Sequence, residues 1–197
     1  MSTPSKTVTL DSRQTLIVTA TNLFQKQGYY ATGLNEILSL AGLPKGSLYH
    51  HFRGGKVDLA IACVESLAGQ IVLHLQRATL SQQSYSELIS QLVRQADTWL
   101  QSNNWSCGSL FATLSHEAKP EDLALKASLK DSYRCIQEAL AQLLQEQGLS
   151  ESKAADVALS TVFSLEGALS LSAALGSAGP LKEAETLLLL RVSESMQ

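Results

Sequence analysis

The stretch AGLPKGSLYHHFRGGK at residues 41–56 concentrates the chemistry of this chain. On a helix that starts near Pro44, Leu48 and Phe52 are four residues apart and share an inward stripe. Lys45 shares an outward stripe with Tyr49, and Gly46 shares the neighbouring one with His50. That surface combines a cation, a phenol, an imidazole and a position with no side chain. It can approach a major groove closely and offer donors to phosphates and base edges. Lys56 stands at the start of the next helix, whose free amides also suit a phosphate. Two residues keep a second reading: Tyr49 as a cap on a small core, and His51 as a hydrogen-bonding group at a helix C-terminus.

Other constellations do not reach a reaction. There is no GxSxG and no GxGxxG, and RGGK at 53–56 lacks the upstream glycine (His50 stands there) and the following hydroxyl (Val57) of a phosphate loop. Ser115, His116 and Glu117 are adjacent, so a helix splays them by about 100° instead of aligning a triad. His50 and His51 point apart, and His74 and His116 have no ligand partner at useful spacing. We therefore expect no catalytic residues, no metal and no cofactor. Cys63, Cys107 and Cys135 are odd in number and widely spaced, which suits reduced thiols in a cytoplasmic protein. Cys107, beside an expected helix start, is the one thiol that could act as an oxidation or alkylation switch.

The elements that position the 41–56 surface are helical. Ala, Leu, Ser, Gln and Glu dominate a chain that is 45% apolar, with four prolines, and such side chains lose little rotamer freedom in a helix. A first helix is predicted over 11–27, with Leu16, Ala20, Leu23 and Phe24 on one stripe and Gly28 ending it. Thr32 is placed to cap a second helix over 33–40 that buries Ile37 and Ala41. Gly42 then makes the turn into a third over 44–51, where Pro44 is tolerated in the first turn. Helix, glycine turn and short helix form a helix-turn-helix. A long fourth helix is predicted over 56–78, followed by segments at 84–102, 108–118, 121–147, 151–176 and 181–194. The expected fold is thus all-α with about nine helices: a DNA-binding head, 1–56, and a larger body, 57–197. No stretch reads as a bilayer span, since 167–181 is short and rich in Ser and Gly, so no membrane partner is expected.

Charge divides the same way. Residues 1–56 carry six Lys/Arg against two acids, a balance of +4, whereas the rest carries nine against sixteen, a balance of −7. A basic head on an acidic body directs only the head toward a polyanion.

From Leu16 to Leu59 the chain closely resembles the N-terminal domain of TetR-family transcriptional regulators. The match runs through Leu23-Phe24, Gly28-Tyr29, Thr32 with Ile37, Ala41-Gly42-Leu43, Lys45 to Phe52 and Lys56. The resemblance implies backbone contacts from Lys45, Tyr49 and His51, and base-facing positions at Gly46, Ser47 and His50. It also implies backbone contacts from Thr32, Gly33 and Asn35, and an anchoring role for Lys56. Two departures stand out: Gly33 replaces a small hydroxyl residue, and Arg53-Gly54-Gly55 is one residue longer than the common form.

The resemblance further implies a homodimer on a near-palindromic operator, a small and mostly apolar effector, and repression as the usual output. Trp99, Trp105, Cys107, Phe111, Tyr133 and Phe163 are the expected effector residues. For the dimer, the 151–176 helix offers a small and apolar face of Ala155, Ala158, Val162, Leu165, Leu169 and Ser172. The last helix adds Leu187 and Leu190, part of a leucine run too long for one buried face.

Overall fold

A computed structural model describes residues 11–196. The expectation that residues 1–10, Lys6 included, are loosely held lies outside the described residues. Within them the chain forms nine helices: α1 (Ser12–Gln27), α2 (Leu34–Ala41), α3 (Lys45–His51), α4 (Lys56–Leu80), α5 (Tyr85–Ser102), α6 (Leu110–Glu117), α7 (Leu123–Glu146), α8 (Glu151–Leu175) and α9 (Gly179–Ser195).

Local chemistry sets the ends. The Asp11 carboxylate caps α1 by accepting from the Gln14 N–H at 2.7 Å. Ser84 and Glu87 form a reciprocal capping box on α5. Ser109 takes the N-cap of α6, so that helix begins two residues later than its sequence suggests. Pro180 sits in the first turn of α9 and lets that helix start early, at Gly179.

The head is built around Leu16, Ala20, Phe24, Ile37, Leu48 and Phe52, all buried. α1 rests on α4 and α6; α4 runs along α7; α8 lies against both α7 and α9; and α5 packs on α9. Two helices, α4 and α8, are long and apolar enough to cross a membrane by length and composition, with a mean hydropathy of 1.4 over their windows. That corrects the expectation that no segment qualifies. Both reach this value as bundle helices, α4 through Leu59, Cys63, Val64 and Leu75 and α8 through Val157, Ala158 and Ala168, all buried within the protein.

The expected dimer face of α8 also needs correction. Ala158 and Ser172 are buried within the chain's own bundle, and Val162, Leu165 and Leu169 line a cavity. The helix turns Ala154, Ala158, Ala168 and Ser172 toward its own bundle because α7 and α9 pack there. Its exposed stripe keeps Ala155 from that face and continues through Leu159, Phe163, Gly167, Leu171 and Leu175, each four residues from the next. On α9, Leu187 and Leu190 are exposed.

Candidate nucleic-acid interface and internal cavity

The recognition surface depends on one turn. Gly42 ends α2 with φ of 65°, in the left-handed region that a glycine takes without strain. Its N–H and that of Leu43 return to carbonyls of the last turn of α2. α3 then anchors through Leu48, with Phe52 closing the core behind it. The opposite face presents Lys45, Gly46, Tyr49 and His50, all exposed, with Ser47 half-buried between them. Tyr49 is 45% exposed, so its ring does not cap the head core. From α2, Gly33 and Asn35 are exposed as well.

Three expected contacts are held elsewhere. Thr32 is 0% exposed, and its hydroxyl donates to the Gly28 carbonyl at 2.7 Å. It therefore braces the α1–α2 turn instead of capping α2, and its side chain has no surface to offer a phosphate; Gly33 is the N-cap. His51 is half-buried, with Nε2 2.7 Å from Ser12 Oγ, which ties the end of α3 to the start of α1. Lys56 lays its ammonium over the Tyr29 ring, 4.4 Å from the centroid. Burial lowers the Lys56 pKa, opposed by the nearby Glu117 carboxylate. Asp58, in the first turn of α4, accepts from the Gly54 N–H at 2.6 Å, which is where the lengthened loop closes.

Glu117 makes this region a joint between head and body. Its Oε2 accepts from the Tyr30 N–H at 2.7 Å. Gly28, at φ of 89°, sits so close that any Cβ there would strike the same carboxylate. Ahead of α6, the Gly108 N–H donates to the Gln25 carbonyl at 2.9 Å. Tyr29 is buried at the joint, and desolvation, with Asp122 and then Tyr30 adding to it, pushes its phenol up to about 12. Sequence reading missed Glu117, because its partner is a backbone amide 87 residues away.

Behind the joint lies a cavity of about 370 Å³, within the range of roughly 300–1,000 Å³ common for small-molecule sites. Its wall draws on Gln25 of α1, Leu67, Ile71 and Leu75 of α4, Trp99 of α5, Phe111 of α6, Tyr133 of α7 and Glu166 of α8. Trp99, Phe111 and Tyr133 were expected there; Trp105, Cys107 and Phe163 do not reach it. Trp105 belongs to the turn after α5, where its N–H bonds the Leu100 carbonyl at 2.8 Å. Phe163 is 61% exposed on the outer stripe of α8. Cys107 is 5% exposed, and desolvation raises its thiol pKa against a smaller opposing pull from Lys26. The thiolate expected beside a helix start is therefore disfavoured at Cys107.

Comparison with known proteins agrees with both halves. Residues 16–63 match the model of the bacterial regulatory proteins of the tetR family. Residues 86–187 match the C-terminal domain of LmrA/YxaF-like transcriptional regulators. The chain is 33% identical to the HTH-type transcriptional regulator LmrA of Bacillus subtilis over 175 residues, covering 87% of this chain and 91% of that one. It is also 33% identical to the uncharacterized regulator YxaF of the same organism, over 82% of this chain and 85% of that one. The crystal structure of regulatory protein TetR from Rhodobacter sphaeroides superposes with a TM-score of 0.76 at 26% identity, over 90% of this chain and 96% of that one. With its helix-turn-helix head and nine-helix fold, the chain belongs to the TetR family, in the LmrA/YxaF-like group, and is an HTH-type DNA-binding transcriptional regulator, not an enzyme.

Proposed function

We propose that this regulator is a homodimeric repressor that a small, mostly apolar molecule releases from a near-palindromic operator in the cytoplasm. The observation that carries this reading is the cavity wall, which includes Gln25 of the DNA-binding head together with α4 and the start of α6. A ligand there bears on the elements that aim α3. It shifts the operator equilibrium to the extent that it prefers the DNA-incompetent arrangement. Lys45, Gly46, Ser47, Tyr49 and His50 read the groove, with Gly33 and Asn35 on the flanking backbone. Thr32 and His51 support that surface from behind, and Lys56 contributes through the α4 amides more than through its ammonium. Dimerisation uses the exposed stripe of Leu159, Phe163, Leu171 and Leu175 with Leu187 and Leu190 of α9, an apolar face that water would otherwise cover. We place the functional division at residue 56, with α4 carrying motion between the two parts.

The test is a gel-shift titration of the full chain against DNA from its own upstream region, with salt varied and excess non-specific DNA present. A salt-sensitive shift that survives competitor is expected. A shift that competitor removes equally from every sequence would count against operator recognition.

A further inference from the structure

The cavity wall is mostly apolar; the Gln25 and Gln95 amides and the Tyr133 phenol add polar groups, and its one carboxylate corner is formed by Ser109 and Glu166. There Glu166, in the middle of α8, is mostly buried and accepts from Ser109 Oγ through Oε1 at 3.0 Å. Its other oxygen, Oε2, is buried with no hydrogen-bond partner among the described residues. Thr161, also at the wall, is already satisfied. Thr161 donates to the Val157 carbonyl at 2.7 Å and so accepts from the Tyr85 hydroxyl, also at 2.7 Å. Among the described residues no Lys, Arg or His lines the cavity, and Glu166 is its one carboxyl group. Aromatic faces stand nearby, with the Phe111 and Tyr133 ring centroids 5.2 Å apart.

A buried carboxyl oxygen without a donor is unfavourable, and more so when ionised. Burial accordingly raises the Glu166 pKa, with the Ser109 bond opposing, and after burial itself the Glu166 charge helps raise the Tyr133 phenol. An ammonium group supplies the missing donor as a charge-assisted hydrogen bond. Aromatic rings favour the same charge, whereas an anion would meet Glu166 without a compensating cation. We propose that the cavity takes a lipophilic amine, its ammonium bonded to the Glu166 carboxylate and its apolar body against Trp99, Phe111 and Tyr133.

This assignment rests on the reading of the cavity as the effector site, and the test separates the two. Three matched probes are titrated into the full-length protein by calorimetry at neutral pH: 2-naphthylmethylamine, 2-naphthylmethanol and 2-naphthoate. The amine should bind about tenfold or more tighter than the alcohol, with naphthoate weakest. In Glu166→Gln, shown folded by circular dichroism, the amine-to-alcohol ratio should fall to within about twofold. Equal binding of amine and alcohol to the natural protein, tightest binding by naphthoate, or no binding of any probe overturns the assignment. An unchanged ratio in Glu166→Gln overturns it as well. The probe ranking on the natural protein decides the matter even where the variant does not fold. The same probes are added to the operator gel shift. Selective amine binding without release upholds the ligand class and removes the effector role, whereas equal release by amine and alcohol does the reverse.

Discussion

The proposed DNA-reading face and the cavity of this protein are built in opposite ways. The face is convex and local: a helix of seven residues held by Leu48, with side chains pointing into solvent. The cavity is concave and dispersed, drawing its wall from Gln25 at one end of the chain to Leu181 near the other. A local surface is fixed by one turn and one anchor, so its chemistry can change residue by residue. A dispersed cavity is fixed by the packing of α4, α5, α7 and α8, so one buried group such as Glu166 sets much of its character. The joint at Glu117 is where the two meet.

The contrast can be broken at several points. The largest effect is expected at the outer apolar stripe. Phe163→Glu with Leu171→Glu should turn the proposed dimer into monomers in sedimentation velocity. Operator affinity should then fall by about 100-fold or more, because two linked heads bind far more tightly than one. A stable dimer in that double variant would move the interface elsewhere. Next is the DNA face: Lys45→Ala with Tyr49→Ala should weaken operator binding roughly 100-fold in fluorescence anisotropy and lower the salt slope by about 1. The melting temperature should hold, since both side chains are exposed. Retained affinity would remove α3 as the reading helix.

Smaller effects sharpen the comparison. Thr32→Val should cost about 1 kcal/mol of stability by chemical denaturation, because it removes the bond to the Gly28 carbonyl. The salt slope of DNA binding should stay unchanged; a fall of about 1 would restore Thr32 as a phosphate contact. Glu166→Gln should act through pH. The folded protein holds the Glu166 proton more tightly than the unfolded chain does, so the natural protein loses stability as pH rises above the ordinary carboxyl value of 4.5. The variant should therefore melt like the natural protein near pH 4 and a few degrees higher, about 3 °C, at pH 8. A lower melting temperature at pH 8 would mean that the carboxylate has a donor.

The head was legible in the sequence because its determinants are close together. Leu48 and Phe52 one turn apart, and Gly42 between two short helices, specify the motif with no distant contact. Thr32 shows the limit: its type suits a cap or a phosphate contact, and only the position of the Gly28 carbonyl decides between them. Most helix breaks were also readable, at Gly28, Gly42, Ser81 to Ser84, Asn103-Asn104, Pro120, Gly148 and Pro180. Which way α8 faces was not. Ala, Ser and Leu occupy several of its stripes at once, so periodicity gives no preferred side, and packing by α7 and α9 makes the choice. For the cavity, Trp99, Phe111 and Tyr133 could be named from residue type, while Glu166 was not singled out, because its bond to Ser109 links positions 57 residues apart.

In the proposed dimer two copies of α3 read one operator. Selection of bound sequences from a random DNA pool by the full-length protein tests it most directly. The account predicts enrichment of two inverted half-sites whose centres lie about 34–36 Å, or a multiple of it, apart. Enrichment of a single unrepeated site, or none above the starting pool, would contradict it.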